Sequence, residues 1–227
     1  MSPMSLTARA YAMVAVFGAL MALATFLPAG TLRFWQGWVF LGVFFALTLA
    51  VTTDLVVRDP ALLRRRMSSG PAGEARPSQK LIQAVAQLAW LGFFVLAGLD
   101  HRRGWSRMPV PWVLLGDLLN AAGYVFVWRV MRANSFASAT IEVEREQRVI
   151  STGPYAVVRH PMYSGALLML LGTPVALGSW WGLLAFPPMA GAIVLRLLDE
   201  ERMLRGKLAG YEEYTRKVRW RLVPGIF

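Results

Sequence analysis

The sequence contains no cysteine and only two histidines, His101 and His160. The absence of cysteine excludes disulfides, iron–sulfur clusters and thiolate zinc sites, and two histidines are too few for a histidine-rich metal site. No two glycines are two residues apart, so the G-x-G loop of soluble dinucleotide-binding proteins is absent. We therefore expect no bound metal, and a different architecture for any cofactor site.

Charged residues are scarce as well, at 16% of 227 residues against 56% hydrophobic residues. A soluble domain carries about a quarter charged residues, so this balance favours a membrane protein. Uncharged runs of 23, 20 and 19 residues lie between Arg9 and Arg33, between Arg33 and Asp54, and between Lys80 and Asp100. Each is close to the ~20 residues that cross a bilayer. The first is longer than the apolar part of a signal peptide, so we expect it to be retained as a helix.

Two later runs complete the expected bundle. The run between Arg107 and Arg129 is interrupted only by Asp117, which we place at the outer rim of the membrane, and 36 residues without formal charge join Arg159 to Arg196. The second run is long enough for two short crossings. The sequence therefore predicts an all-α, polytopic transmembrane helical bundle with about six spans, at roughly 10–31, 34–53, 81–99, 110–130, 162–177 and 181–198.

Basic residues are distributed unequally between the two ends of these spans. Of the 24 Lys and Arg residues, 20 fall on one side, and the other four are Arg33, Arg102, Arg103 and Arg107. Because short loops rich in Lys and Arg stay on the cytosolic side, we expect both termini in the cytosol and the protein in the inner (cytoplasmic) membrane. The net charge of +11 then reflects orientation and contact with anionic lipid, not binding of nucleic acid.

The same rule requires the 36-residue run to turn back on itself. A single helix would carry the basic tail to the outside, so we predict a turn at Gly178-Ser179 and a tight helical hairpin over 162–198. We expect local kinks at Pro174 and Pro187-Pro188. Beyond the hairpin, an apolar side chain recurs every seven residues and predicts an amphipathic, cytosolic C-terminal helix. The four residues of this pattern are Leu197, Leu204, Tyr211 and Val218.

Polar residues are concentrated in two segments, about 132–161 and 199–227, that bracket the hairpin. Because the hairpin returns the chain to the cytosol, we expect these segments to meet. The chain accordingly divides into N-terminal transmembrane helices, 1–131, and a catalytic, cofactor-binding region, 132–227. The loop at 67–73, with its flanking arginines Arg64-Arg65-Arg66 and Arg76, is interpreted as a solvated loop with a basic interfacial edge and no chemistry.

The first polar segment ends in two chain breaks, Gly153-Pro154 and His160-Pro161. Pro161 suits the first turn of the fifth helix, whose free N–H groups would face the rim of the membrane and can hold a carboxylate. Arg159, Tyr155 and Tyr163 surround this helix start. The alternative is a basic interfacial anchor without a ligand.

The second polar segment begins with Asp199-Glu200-Glu201, three consecutive acids in a chain that has only 13. Arg196 lies four residues before Glu200, so the two share a helix face and can pair. Clustered ionisable groups at the rim of a bundle are costly to desolvate and favour a functional site. The alternative is a plain solvated helix face.

These residues resemble the isoprenylcysteine carboxyl methyltransferase family, which is related to the phospholipid methyltransferases. The similar stretch runs from Asn134-Ser135-Phe136 to Pro224, about 40% of the chain. It comprises Gly153-Pro154-Tyr155, Arg159-His160-Pro161-x-Tyr163-x-Gly165, Arg196-x-x-x-Glu200-Glu201-x-x-Leu204 and Tyr211-x-x-Tyr214. The joint order and spacing of these motifs are specific.

The resemblance implies that S-adenosylmethionine binds between the hairpin and the C-terminal segment, while a lipid or isoprenoid substrate arrives laterally from the bilayer. It implies cofactor-binding roles for Tyr155, His160, Pro161, Tyr163, Gly165, Glu200 and Glu201. A sulfonium cation, an amino acid moiety and an adenine suit carboxylates, aromatic faces and backbone donors. Our catalytic candidates are Arg159, Arg196 and Glu201: the arginines to place a substrate carboxylate or complete the cofactor pocket, Glu201 to accept a proton from an amine.

Three other functions stay open at this point. Phosphatidylethanolamine N-methylation would need such a proton acceptor, whereas carboxylate methylation needs alignment and exclusion of water. Membrane sterol reductases share a similar hairpin and a partly similar Arg-His-x-x-Tyr motif but bind NADPH; Pro161 and the double Glu favour the methyl donor instead. A non-catalytic membrane scaffold is the third.

Overall fold

The computed structural model describes residues 4–67, 77–135 and 149–227, and within these ranges the protein has eight α-helices and no β-strand. The helices are α1 (Leu6–Ala29), α2 (Trp35–Arg58), α3 (Pro60–Met67), α4 (Pro77–Arg103), α5 (Val110–Ala133), α6 (Pro161–Ala176), α7 (Phe186–Lys207) and α8 (Tyr211–Lys217). Short 3₁₀ helices at Gly153–Ala156 and Trp181–Ala185 precede α6 and α7. The all-α prediction is confirmed. Most of the loop predicted at 67–73, and the part of the first polar segment from Phe136 to 148, lie outside the described residues.

Five helical segments are long and apolar enough to cross a membrane: α1, α2, α4, α5 and Trp181–Lys207, which joins the second 3₁₀ helix to α7. The sixth expected span, α6, has only 16 residues. At ~1.5 Å per residue it is about 24 Å long, which is shorter than the ~30 Å hydrocarbon core. The protein is therefore a multi-pass membrane protein in which one arm of the terminal hairpin is short.

The three connections that we expected on the outer side all lie at one end of the bundle. In the α6–α7 connection, the hydroxyl of Ser179 donates a hydrogen bond to the buried carboxylate of Asp100 near the end of α4. Gly30 ends α1 in the left-handed conformation (φ 67°) and lies against the side chain of Arg102. Gly178, also left-handed at φ 69°, makes the predicted turn. The two polar segments are therefore left together at the opposite end.

Helices α5 and α6 pack along a line of four glycines, which are Gly116 and Gly123 on α5 and Gly165 and Gly172 on α6. A Cβ atom on Gly116 would come within 2.2 Å of the backbone N of Ala176, and one on Gly123 within 2.7 Å of the carbonyl O of Gly165. Small residues permit such backbone contact between membrane helices. The seam fixes the position of α6, whose first turn carries the site.

Two expectations about polar and proline positions were wrong. Pro187-Pro188 do not kink a helix, because α7 begins at Phe186 and the prolines occupy its first turn, where a missing N–H costs nothing. Asp117 is not a rim residue: it is 7% exposed, and neither carboxylate oxygen has a hydrogen-bond partner among the described residues. It lies beside Gly116, where α6 approaches α5 closely, and so it is covered despite its position near the helix start.

The predicted amphipathic tail is broken into two helices. Helix α7 continues to Lys207, and Gly210 in the left-handed conformation (φ 80°) separates it from the seven-residue α8. All four side chains of the seven-residue pattern are buried, but they do not lie on one helix. Leu197 and Leu204 are on α7, Tyr211 is on α8, and Val218 follows α8. Tyr211 and Tyr214 of α8 fold back on Met203 and Leu204 of α7. The tail thus packs over the end of α7 and does not extend from it.

Candidate functional site

The segment after α8 is hydrogen-bonded to the residues that precede α6. The backbone N–H groups of Arg159 and His160 donate to the carbonyls of residues 220 and 221, at 2.9 Å each. The hydroxyl of Ser164, in the first turn of α6, donates to the carbonyl of Leu222 at 2.6 Å. The two polar segments therefore meet at the start of α6.

The dipeptide His160-Pro161 determines where α6 begins. His160 is the cap residue in a non-helical conformation (φ −124°, ψ 60°), as a residue before proline favours, and Pro161 is the first helical residue. Both are buried. The break turns the His160 ring towards α7 and lets Tyr163 follow on the next turn, where the two rings stack at 5.8 Å between centroids.

Glu201 of α7 is the centre of a buried charge cluster. Its Oε1 lies 3.2 Å from Nε of Arg159 and 3.3 Å from Nε2 of His160. Its Oε2 accepts a hydrogen bond from Nε of Arg221 at 3.2 Å, and Nη2 of Arg205 lies 3.7 Å away. The carboxylate is 4% exposed. One acid therefore binds groups from both polar segments, and its oxygens are already engaged by cations.

Glu200 belongs to a second network on the neighbouring side of α7. Its Oε2 accepts a hydrogen bond from the Tyr163 hydroxyl at 2.8 Å, and that hydroxyl also bonds to Arg196. Arg196 donates to Oε1 of the buried Gln79 at 3.0 Å, whose Nε2 donates to Asp199 at 2.6 Å. In the part of the chain that the structure describes, Glu200 thus takes Tyr163 as its partner and not Arg196, contrary to the helix spacing. The network joins α4, α6 and α7.

Two further tyrosines lie near Glu200. Tyr155 is held from both sides, because its hydroxyl accepts a hydrogen bond from Asn134 at 3.0 Å and its carbonyl accepts one from the Tyr214 hydroxyl at 2.7 Å. Tyr211 is buried near Glu200 and Glu201, and its hydroxyl has no hydrogen-bond partner among the described residues. Burial raises the pKa of both phenols, so each stays a neutral donor at physiological pH.

The structure brings most of the sequence-predicted site residues together, with two differences in their surroundings. Gly165 faces α5, because a Cβ there would lie 2.7 Å from Cγ2 of Val127. Pro161 is buried as the first residue of α6. The other candidates, Tyr155, Arg159, His160, Tyr163, Arg196, Glu200 and Glu201, are linked by the two networks just described.

Three residues at this end were missed by the sequence reasoning. Gln79 is fully buried at the start of α4 between Arg196 and Asp199, and nothing in its sequence context distinguishes it. Arg221 was counted only as one of the tail's basic residues, although it reaches Glu201. Arg66 was assigned to an interfacial loop, but its side chain lies beside Met162 and Tyr163. Counting basic residues cannot distinguish an arginine in the site, such as Arg221 or Arg66, from one that only orients the protein in the membrane.

Comparison with known proteins relates this region to membrane methyltransferases. Residues 111–209 match the model of the phospholipid methyltransferase family. The chain is 27% identical over 142 residues to protein-S-isoprenylcysteine O-methyltransferase B of Arabidopsis thaliana, which covers 61% of this chain and 68% of that protein. It is 29% identical over 116 residues to the probable protein-S-isoprenylcysteine O-methyltransferases of Oryza sativa subsp. indica and subsp. japonica, covering 50% of this chain and 58% of each relative.

The fold, the paired polar segments and these matches define a multi-pass membrane enzyme of the methyltransferase class. Within that class, the chain is similar to the phospholipid methyltransferase family over residues 111–209 and to isoprenylcysteine O-methyltransferases of plants at 27–29% identity. The resemblance inferred from the motifs is confirmed. The matched region contains both α6 and the acidic residues of α7, which are the elements that build the site.

Proposed function

We propose that this protein uses S-adenosylmethionine to methylate the carboxylate of a lipidic acceptor at the cytosolic face of the inner membrane. The observation that carries the proposal is the contact of Tyr163 with Glu200 and of His160 with Glu201, which joins the two polar segments into one site. The methyltransferase relationship supplies the reaction class. The choice of donor, acceptor and membrane side is our inference from the residues.

The residues around Glu200 fit the donor that this reaction class uses. Bound S-adenosylmethionine would supply an activated methyl group on a sulfonium centre, together with an amino acid moiety and an adenine. Glu200 offers a carboxylate, and the rings of His160, Tyr163 and Tyr155 offer aromatic faces to a cation or an adenine. The buried hydroxyl of Tyr211, which has no partner among the described residues, is a donor that a ligand's carboxylate would satisfy. We assign Pro161 and Gly165 to the shape and seating of α6.

The chemistry of the acceptor follows from what Glu201 already does. A carboxylate acceptor is ionised at neutral pH and needs no base, whereas an amine must first lose a proton. Glu201 has both oxygens engaged by Arg159, His160 and Arg221, so it is a poor proton acceptor. This arrangement favours O-methylation, the chemistry named for the plant relatives.

We divide the three catalytic candidates accordingly. Arg159 and Glu201 position the site, because each is the other's buried partner. Arg196 lies next to the Tyr163 hydroxyl and belongs with the acceptor or the donor at the junction of the two networks. None of these residues needs to exchange a proton with the acceptor during transfer to a carboxylate.

The central test incubates the purified protein and its native lipid extract with methyl-labelled S-adenosylmethionine and identifies the labelled molecule. We expect label in an acidic lipid as a base-labile ester. Label in no lipid, together with no binding of S-adenosylmethionine by calorimetry, would overturn the proposal. Binding of NADPH in its place would identify a sterol reductase-like protein instead.

Phosphatidylethanolamine N-methylation is the second candidate, because the matching family model is that of phospholipid methyltransferases. The two reactions differ in their dependence on pH. An amine acceptor with a pKa near 10 gives turnover that rises about tenfold per pH unit between roughly 6 and 8, whereas a carboxylate with a pKa near 4 gives a flat profile. We expect the flat profile, and acid-stable label in an amine headgroup would select the alternative.

The absence of cysteine makes the proposed orientation directly testable. Arg216 in α8 and Arg107 in the α4–α5 connection are both exposed, at opposite ends of the bundle. We expect a membrane-impermeant maleimide to label Arg216→Cys only in inverted vesicles and Arg107→Cys only in right-side-out vesicles. The reverse pattern would place the site on the outer face.

A further inference from the structure

Arg66, at the end of α3, places its guanidinium group among aromatic side chains beside the site. Its Nη1 donates to Sδ of Met162 at 3.3 Å, a weak acceptor. Tyr163, Tyr155 and Tyr124 lie close enough to influence its ionisation. Burial lowers the pKa of Arg66, but a guanidinium remains charged at physiological pH, so Arg66 is a half-buried cation.

No carboxylate neutralises this cation in the described parts of the chain. Asp54, on the preceding helix, pairs with Arg58 at 2.7 Å, and the acids of α7 have the partners described above. A second cation, Arg196, also acts on Arg66 and disfavours its charge. A half-buried charge with no carboxylate partner among the described residues is costly, and the influence of a second cation increases the cost. Such a pair is well suited to a shared anion.

The other arginines of α3 are different. Arg64 is exposed, and Arg65 donates to the carbonyl of Ser135 at 2.9 Å. Only Arg66 turns towards Met162 and Tyr163 in the first turn of α6. The orientation rule explains why three consecutive arginines lie at this end, but it does not explain why one of them is half-buried against α6.

We propose that Arg66 is a specificity-determining residue that binds the carboxylate of the acceptor, with Arg196 on the anion's other side. The inference rests on the proposed function and adds the residue that selects an acid. A guanidinium fork binds both oxygens of a carboxylate, and Tyr163 links this position to Glu200 in the donor site. A lipid with a cationic headgroup and no acid is disfavoured by the same two charges.

The charge balance of the reaction agrees with this role. One carboxylate oxygen forms a bond to the methyl carbon as the carbon–sulfur bond breaks, and the electron pair of that bond stays on sulfur, so no proton moves. The product ester is neutral. It loses the charge-assisted contact with Arg66, which is worth more than a neutral hydrogen bond. Arg66 therefore favours the substrate over the product and promotes product release.

The test compares S-farnesyl-N-acetylcysteine with its neutral carboxamide, by calorimetry in detergent, on wild type and on Arg66→Gln. We expect Arg66→Gln to weaken binding of the acid about 10- to 100-fold, the range of hydrogen bonds to a charged group, and to change carboxamide binding less than threefold. Arg66→Lys, which keeps the charge without the fork, is expected to lie between them. Arg64→Gln on the same helix is the matched control and should bind both probes as wild type does.

Three results would overturn the inference: a wild type that binds acid and carboxamide equally, an Arg66→Gln variant that loses both probes equally, or one that loses S-adenosylmethionine affinity instead. The last would assign Arg66 to the donor. If wild type fails to transfer label from S-adenosylmethionine to any lipid, the proposed function fails. If transfer persists while the acid preference is independent of Arg66, only the present inference fails.

Discussion

Oε1 of Glu201 lies 3.2 Å from Nε of Arg159, and the two side chains are only 4% and 6% exposed. The pair joins α7 to the residue that precedes the His160-Pro161 break, across 42 positions of sequence. Because His160 shares the same oxygen at 3.3 Å, Glu201 holds the start of α6 in place. The Arg159-His160-Pro161 motif before α6 and the acids on α7 therefore stabilise each other's positions.

Removal of the Glu201 carboxylate should destabilise the protein. We expect Glu201→Ala to cost roughly 3–5 kcal/mol in the free energy of unfolding, because Arg159 is left buried without its counterion. Thermal unfolding in detergent measures this. Glu213→Ala is the control, since the Glu213–Lys217 pair is exposed at 70% and 72% and its loss should leave the melting temperature unchanged. Equal melting temperatures for all three proteins would contradict the buried pairing.

The Tyr163 hydroxyl should contribute to donor binding without contributing much to insertion. Tyr163→Phe keeps the ring that stacks on His160 but removes the hydrogen bonds to Glu200 and Arg196. We expect S-adenosylmethionine affinity to fall about tenfold, as for a hydrogen bond to a charged group. Calorimetry would show this. Tyr11→Phe removes a distant hydroxyl bonded to Thr53 and should bind as wild type does; equal affinity in both variants would remove Tyr163 from the donor site.

The sequence predicted which polar residues lie together better than it predicted their contacts. Helix spacing suggested that Arg196 pairs with Glu200, but Arg196 bonds to Gln79 on α4 and to Tyr163 on α6. Spacing along one helix predicts which side chains share a face of that helix. It does not predict which of them contact side chains on neighbouring helices. The hairpin turn predicted that the α6 motif and the acids of α7 meet, and Tyr163 does contact Glu200.

Gly165 should be required for packing between helices. A methyl group at this position meets Cγ2 of Val127 at 2.7 Å and the carbonyl O of Gly123 at 3.1 Å, so Gly165→Ala should cost about 1–3 kcal/mol through overpacking. Thermal unfolding in detergent gives the change. Gly191→Ala on α7 meets nothing within 4 Å and should be neutral or slightly stabilising. A Gly165→Ala variant with unchanged stability but weakened donor binding would show that the glycine instead faces the cofactor.

Two buried acids should respond differently to the same substitution. Asp100 accepts hydrogen bonds from the hydroxyls of Ser106 and Ser179, so an amide in its place loses an acceptor, and Asp100→Asn should cost about 1–3 kcal/mol. Asp117 has no partner to lose among the described residues, so Asp117→Asn should leave stability unchanged or raise it. Thermal unfolding of the two variants tests the contrast. Equal losses would show that Asp117 has a hydrogen-bond partner of its own.

The overall fold was more predictable than the path of the tail. Uncharged runs and the distribution of arginine gave the spans and the hairpin turn at Gly178, because these depend on the bilayer alone. The break at Gly210 and the hydrogen bonds of residues 220–221 to Arg159 and His160 depend on tertiary contacts. A seven-residue apolar pattern indicates a buried side but not whether one helix or two supply it. The burial of Asp117 was missed for the same reason.

The glycine seam between α5 and α6 closes one flank of the site to hydrocarbon. With Gly116 and Gly123 in near-backbone contact with α6, no prenyl or acyl tail can pass between these two helices. The acceptor that we propose would therefore have to reach Tyr163 from another side of the bundle.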